Sequence, residues 1–326
     1  MTPSEPKRPR RTPRLVPLVA LGAALAAALG YAACLRDLQS LRAPLEGDSH
    51  VVDTPSGPVE FAEGGRGPAV LVIHGAGGGH DQGRLLAEAF LPDSYRWIAP
   101  SRFGYLRSPL PADASTEAQA DALAALLDVL GERRIAVLAM SGGVPPALQL
   151  ATRHPDRVSA LVLLSLAPFW PLTAADQDLP VPIWLYDALF RTDFPYWLAW
   201  RVAPGRLQPI FDVRPELRGA MTPRERVFVE RMVGAFLPVS ARAAGLRNEA
   251  AAIDPAAANP LPGVHARTLI VHARDDRITP FSTAEFAAAR IPRVEFLPLP
   301  SGGHLLLGHH AAVAASIAAF LQEPPT

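Results

Sequence analysis

A serine in a glycine-rich turn is the residue of this chain best suited to nucleophilic chemistry. The apolar run 135–140 leads directly into Ser141, Gly142 and Gly143, and helix-forming residues follow. A serine at a sharp strand-to-helix turn has a strained backbone, so its neighbours must be small, and its hydroxyl then stands above the sheet. The usual pattern is Gly-x-Ser-x-Gly, and here the small Ala139 takes the first glycine position. We therefore predict that Ser141 is a nucleophile, against the alternative of an ordinary glycine turn with an incidental serine.

A histidine is needed to activate this serine, because a serine hydroxyl is a poor nucleophile until a base removes its proton. Of the nine histidines, His304 lies in a Ser-Gly-Gly-His loop after the last predicted strand and before a predicted helix at 311–321. From that place a loop histidine can reach over the edge of the sheet. His309 and His310 are rivals, but they lie at the start of the helix and are typical of surface residues. No pair of histidines has the helical spacing, together with a carboxylate, that favours zinc, so we predict neither a metal nor a cofactor.

The third group expected is a carboxylate that orients the histidine and stabilises its protonated form. Asp275 and Asp276 both follow the predicted strand 268–273, and functional groups collect at the carboxyl ends of strands in open α/β sheets. We choose Asp276 because it stands four residues before Pro280. Asp275 remains the competitor, and a solvated acidic loop is the alternative without function.

A second glycine-rich loop, 74–79, follows the first buried strand and predicts an oxyanion-binding site. Glycine lets the backbone approach a ligand closely, and we expect the N–H groups of Ala76 and Gly142 to bind the oxyanion. The N–H of Gly77 is possible in place of that of Ala76. A phosphate-binding loop is disfavoured, since no Lys-Ser or Lys-Thr follows and the dinucleotide spacing is missing.

The sequence around these groups predicts alternating strands and helices, which would hold them in place. Continuous apolar runs bounded by turn residues predict buried parallel strands at 69–73, 95–99, 135–140, 160–164, 268–273 and 294–297. A hairpin over 50–53 and 59–62 precedes them, and 116–130 predicts a helix with Ser115 as its cap. The fold class predicted is α/β, with a doubly wound, mostly parallel sheet.

One long interval, 168–262, lacks a clean strand pattern and contains four of the five tryptophans. We interpret it as a helical lid insertion over one end of the sheet, with a second domain as the alternative. The core of the fold would then consist of residues 48–167 and 263–326.

The N-terminus predicts a membrane segment. Residues 15–35 are apolar and uncharged, long enough to span about 30 Å of hydrocarbon, and five basic residues precede them: Lys7, Arg8, Arg10, Arg11 and Arg14. This asymmetry predicts a cytoplasmic tail and membrane anchor over 1–35, with the folded body outside the cytoplasm. Cleavage as a signal peptide after Tyr31-Ala32-Ala33, which would secrete the protein, and lipidation of Cys34 are the alternatives.

Charges return at 36–47, where Pro44 and Gly47 are expected to interrupt any helix, so this segment is predicted to be a linker. The formal net charge is zero, which gives no reason to expect a nucleic-acid partner. The single cysteine excludes an intrachain disulfide. The oligomeric state is left open.

These motifs resemble the α/β-hydrolase superfamily over His50 to about Gln322. The similarity lies in His74-Gly75 after a strand, Ser141 in its turn, the segment 274–280, and Gly303-His304. They are similar to the motifs of the superfamily's peptidase, esterase and carbon–carbon-bond hydrolase branches. In those branches the aspartate is the one followed by three residues and a proline, which supports Asp276. The segment 99–105 resembles a loop whose role in this group is usually structural.

The resemblance implies a serine hydrolase of carboxylesterase-like activity. Ser141 would attack a carbonyl, and His304 would protonate the leaving group before activating water. A small or medium apolar acyl compound is the substrate class expected, although the tryptophans of the insertion fit packing equally well. Acyl transfer or peptide cleavage by the same residues and a non-catalytic binding protein of the same fold are the alternatives.

Overall fold

A computed structural model describes residues 15–167, 182–252 and 261–322 of the chain. Within these residues eight strands form one sheet, namely β1 (His50–Thr54), β2 (Gly57–Gly65), β3 (Ala69–Ile73), β4 (Arg96–Pro100), β5 (Ile135–Met140), β6 (Val158–Leu164), β7 (Arg267–Ala273) and β8 (Val294–Leu299). Each strand lies within two or three residues of its predicted position. The element pattern was therefore readable from hydrophobic runs and turn residues.

The strand order is β1-β2-β4-β3-β5-β6-β7-β8. The first two strands form the predicted hairpin and join β4 antiparallel, whereas the pairs from β4 to β8 are parallel. The α/β prediction with a mostly parallel, doubly wound sheet is confirmed. β5, which leads into Ser141, lies near the middle between β3 and β6.

Both faces of the sheet are buried, because an apolar core lies on each side, and neighbouring residues of a central strand point into opposite cores. In β5, Leu138 and Met140 belong to one apolar core, and Val137 and Ala139 belong to the other. Ala139 is fully buried, so the alanine that replaces the usual glycine is accommodated as an ordinary core residue.

Helices cover the two faces. They are α1 (Leu15–Gly47), α2 (His80–Phe90), α3 (Thr116–Val129), α4 (Val144–Arg153), α5 (Ile183–Phe190), α6 (Asp193–Val202), α7 (Pro215–Ala220), α8 (Pro223–Gly234), α9 (Ala243–Ala252), α10 (Phe281–Ala288) and α11 (His310–Gln322). The Ser115 hydroxyl accepts a hydrogen bond from the N–H of Ala118, which confirms its predicted role as the cap of α3. Helices α5 to α9 follow β6 and precede β7, so the predicted helical insertion is confirmed for the part of 168–262 that the structure describes.

Helix α1 corrects the prediction for 36–47. We expected Pro44 and Gly47 to interrupt any helix, but α1 continues to Gly47, and the N–H of Asp48 donates to the carbonyl of Pro44 at 2.9 Å. Packing explains the difference, because Cys34 and Leu38 are buried in the same core as the insertion. Tertiary contacts on one face of a helix outweigh the single hydrogen bond that a proline removes.

The apolar N-terminal part of α1 is mostly exposed on the surface of the protein. Residues Val19–Gly47 have the length and hydropathy of a membrane-spanning helix, and 6% of the most apolar part is buried inside the protein. A signal sequence meets the same criteria. The predicted cytoplasmic tail, 1–14, lies outside the described residues.

Candidate active site

Ser141 lies immediately after β5, at the first residue of a short 3₁₀ turn that leads into α4. Its φ angle is +53°, in the left-handed region that residues other than glycine rarely adopt. This strained conformation is the one predicted for a serine at a strand-to-helix turn. The neighbouring loop is close, since a Cβ added to Gly75 would lie 3.1 Å from Cβ of Ser141.

The structure brings His304 to this serine. Nε2 of His304 lies 3.0 Å from Oγ of Ser141, although the two residues are 163 positions apart. Neither of the rival histidines takes this place: Nε2 of His310 donates to the carbonyl of Leu305 at 2.9 Å, and among the described residues the imidazole that is hydrogen-bonded to Ser141 is that of His304.

Asp276 is the carboxylate that reaches the histidine. Its Oδ2 lies 2.9 Å from Nδ1 of His304, so the remaining ring nitrogen faces the serine. Its Oδ1 accepts hydrogen bonds from the N–H groups of Ile278 and Thr279, both at 2.9 Å. Such a carboxylate is held in one orientation, which also fixes the ring that it binds.

Asp275 has another role. Its Oδ1 accepts a hydrogen bond from the N–H of Gly303 at 2.9 Å, and its Oδ2 pairs with the guanidinium of Arg214 at 2.6 Å. These contacts tie the histidine loop to the insertion without touching the imidazole. Of the two aspartates, the geometry therefore favours the one chosen from the proline spacing.

Burial and charge set the protonation of this pair. Burial by itself lowers the pKa of His304, but the carboxylates of Asp276 and then Asp212 outweigh it, so the pKa of His304 is raised above its ordinary value. Burial likewise raises the pKa of Asp276, and the facing imidazole outweighs this effect and holds that pKa below its usual value. Asp276 therefore stays ionised while it steadies a positive charge on His304.

This arrangement predicts the pH dependence of any reaction that uses His304 as a base. Since only the neutral imidazole can accept the Ser141 proton, kcat/KM should rise with pH and level off above the pKa of His304. The midpoint should lie above the 6.5 of an ordinary histidine. Asp212→Asn removes one negative charge and should move the midpoint to lower pH. A profile of kcat/KM for an uncharged ester measures both effects, and a midpoint below that of free histidine would contradict the assignment.

The two loops that carry the predicted oxyanion donors lie close together beside Ser141. A Cβ placed on Gly142 would lie 3.3 Å from the amide nitrogen of Ala76, which shows how closely the two loops approach. The N–H of Gly77 donates to the hydroxyl of Tyr105 at 3.3 Å. Gly77 therefore already has a partner, and Ala76 is the better candidate of the two.

A cavity of about 450 Å³ opens above Ser141 and His304. Phe190, Phe211 and Phe236 form an aromatic cluster in its wall, in which the ring centroid of Phe236 lies 5.3 Å from that of Phe190 and 4.9 Å from that of Phe211. All three come from the insertion. The described tryptophans do not line this cavity: Trp197 is buried in packing and Trp184 is largely exposed, while Trp170 lies outside the described residues.

The polar side of the cavity holds a group that sequence reasoning missed. Glu249, from α9, forms an ion pair with the buried Arg102 and accepts a hydrogen bond from the hydroxyl of Tyr105 at 2.6 Å. Arg102 also donates to the backbone carbonyls of His74 and Gly75, at 3.0 and 3.1 Å. The loop 99–105 thus holds the glycine-rich loop 74–79 in place, in keeping with the structural role expected of it. No local pattern around Glu249 marks it as part of a site.

Asp212 is the second residue that the sequence did not reveal. It is fully buried, and its Oδ2 accepts hydrogen bonds from the N–H groups of His304 and Arg277, both at 3.2 Å. Burial raises its pKa to about 6, against the opposing effects of the Arg277 N–H and the Arg214 guanidinium. A carboxylate of the insertion thus helps to hold the histidine loop.

Both the sequence and the fold of this chain are similar to those of known proteins. The sequence model of the family described as alpha/beta hydrolase fold matches residues 68–311. The chain is 31% identical over 277 residues to 2-hydroxymuconate semialdehyde hydrolase of Pseudomonas sp. (strain CF600), covering 80% of this chain and 89% of that protein.

Solved structures agree with this likeness. An alpha/beta hydrolase fold protein from Nakamurella multipartita superposes with a TM-score of 0.71 at 27% identity, over 84% of this chain and 98% of that one. A bacterial membrane phospholipase A superposes with a TM-score of 0.62 at 23% identity, over 94% and 97% of the two chains. At that identity the second likeness concerns the fold alone.

Proposed function

The chain belongs to the α/β-hydrolase family, and on that premise we propose that it is a serine hydrolase that cleaves an uncharged ester through a Ser141–His304–Asp276 triad. Ser141 attacks the ester carbonyl while His304 takes its proton. The N–H groups of Ala76 and Gly142 stabilise the oxyanion that develops. His304 then protonates the departing alcohol, and a water activated by the same ring releases the acid.

The observation that carries this proposal is the continuous hydrogen-bonded line from Ser141 through His304 to Asp276, with distances of 3.0 and 2.9 Å. A nucleophile, a base and a group that orients the base are the three parts of activated acyl transfer. The relatives, which are hydrolases, support the same reaction class.

The lining of the cavity supports an apolar acyl group as the part of the substrate that is bound. Its aromatic cluster is joined by aliphatic side chains from the sheet, the helices and the loop of His304, among them Leu86, Met140, Met232 and Leu305. Among the described residues of the lining, the charged groups are Arg102, Glu249 and His304, and Arg102 is paired with Glu249. No unpaired permanent cation in that lining faces an anionic substrate.

Chain length should therefore control the rate. With p-nitrophenyl esters, we expect kcat/KM to rise from acetate to butyrate by about tenfold, since each buried methylene contributes about 0.8 kcal/mol. The matched control is a hexanoate ester against the ester of the same length with a terminal carboxylate, which should be a poor substrate. Equal rates along the series, or a preference for the carboxylate, would contradict the assigned substrate class.

Carbon–carbon bond hydrolysis is the second candidate, because the relative that is 31% identical is a 2-hydroxymuconate semialdehyde hydrolase. The muconate part of that name denotes a carboxylate. Arg102 is already paired with Glu249, so it is poorly suited to bind a carboxylate of the substrate. Assaying 2-hydroxymuconate semialdehyde beside the butyrate ester separates the two. Competition between water and an added alcohol, with product analysis, tests the acyltransferase alternative, and peptide substrates test the peptidase.

We further propose that α1 is retained as a membrane anchor with the hydrolase body outside the cytoplasm. Packing of residues before Cys34 supports retention, because cleavage after Ala33 would remove them. The ring of Tyr31 lies 6.1 Å from that of Phe194, and Ala33 packs against the core. Burial of the Cys34 side chain does not favour lipidation there. Mass spectrometry of the membrane fraction tests this, since cleavage would remove the residues before position 34.

A further inference from the structure

Helix α1 docks on helix α6 of the insertion at the level where the apolar segment ends. The rings of Tyr31 and Phe194 lie 6.1 Å apart. Just beyond, Oδ2 of Asp37 accepts a hydrogen bond from Nε1 of Trp197 at 3.1 Å and pairs with the guanidinium of Arg201 at 3.3 Å. Helix α6 is thus fixed to the anchor by one aromatic and two polar contacts.

These contacts set the height of α6 relative to a membrane. An α-helix rises 1.5 Å per residue, so Tyr31 lies about 6 Å inside the outer end of the apolar segment, which ends at Leu35. A residue that touches Tyr31 must lie at a similar depth. When α1 spans a bilayer, Phe194 is therefore at the boundary between acyl chains and headgroups, and Asp37 and Arg201 are among the headgroups.

The same helix exposes an apolar stripe. Phe194, Leu198 and Val202 are spaced by four residues, so they share one face of α6. Leu198 is 44% exposed and Val202 is 75% exposed. Two aliphatic side chains in water, in line with a residue that contacts the anchor, form a surface suited to an apolar interface.

We propose that this stripe, Phe194–Leu198–Val202, rests in the outer interface of the lipid bilayer that α1 crosses. The partner is the lipid surface itself, and the inference depends on the retained anchor proposed above but not on the reaction. On its buried side, α6 carries Tyr196, whose ring lies 5.5 Å from that of Phe190 in the cavity wall. The wall of the substrate cavity is therefore one layer of side chains from the lipid, which suits substrates that arrive from the membrane.

The test uses the full-length protein with Cys34→Ser, so that a single new cysteine carries an environment-sensitive fluorophore. The sites are Val202→Cys, Leu25→Cys and Val129→Cys, in phosphatidylcholine vesicles with or without lipids that bear a nitroxide quencher. Leu25 lies in the exposed apolar part of α1, and Val129 is an exposed valine, 47% accessible, on α3 across the sheet. The three sites separate membrane span, interface and water.

We expect the label at position 202 to be quenched by shallow nitroxide lipids, the label at position 25 by deep ones, and the label at position 129 by aqueous iodide alone. If the label at position 202 behaves like that at position 129 while position 25 is embedded, the interfacial stripe is wrong. If position 25 also stays in water, the anchor fails and the inference fails with it. None of these readings uses catalysis, so a failure of the serine hydrolase proposal would be recognised separately.

Discussion

Replacing Ser141 with alanine is expected to lower kcat for ester hydrolysis by roughly 10⁵- to 10⁶-fold, to the background set by binding and the oxyanion site. The reason is that the variant has no atom that can form the acyl-enzyme, although His304 and the oxyanion loops remain in place. His304→Ala should cost about as much, and the double variant little more, because the two residues act as one unit. The variants are compared by steady-state kinetics and by labelling with a fluorophosphonate probe.

Two matched controls are available in the chain. Ser316 lies on α11 with its hydroxyl bonded to its own helix, so Ser316→Ala should keep full activity and labelling. His309→Ala, at the rival histidine, should do the same. Absence of labelling in a folded wild-type protein would contradict the mechanism and favour the alternative of a non-catalytic binding protein. Labelling that survives Ser141→Ala would move the nucleophile elsewhere.

Asp276→Asn is expected to lower kcat by about 10⁴-fold with little change in KM. The carboxylate of Asp276 receives Nδ1–H of His304, which keeps the other ring nitrogen free to accept the serine proton. An amide can instead present its N–H to the ring and favour the wrong tautomer. Measuring kcat and KM separately shows whether the loss lies in the chemical step.

The neighbouring aspartate is the matched control for this change. Asp275→Asn loses its ion pair with Arg214 and weakens its contact with the N–H of Gly303, but it leaves the contact between His304 and Asp276 intact. We expect a loss of at most about tenfold, together with a modest decrease in thermal stability. A larger effect at Asp275 than at Asp276 would reassign the carboxylate.

Local patterns were enough to predict most of the fold. The strand at 135–140 was recognised because a parallel strand buried on both faces must be continuously apolar, and Ser141 stood out because it ends that strand among small residues. The choice of Asp276 over Asp275 came from a resemblance, the distance to Pro280. When the role of a residue depends on its immediate neighbours in the chain, the local sequence pattern is enough to predict that role.

The sequence by itself determined the fold class and put forward Ser141, Asp276, His304, Ala76 and Gly142 as site residues. Only the tertiary structure decided that α1 continues through 36–47, that Glu249 pairs with Arg102 beside the loop 74–79, and that Asp212 holds the backbone of His304. These features depend on contacts between residues more than ninety positions apart. Periodicity and turn chemistry describe neighbours along the chain. Contacts between residues far apart in the sequence depend instead on how the insertion packs against the sheet.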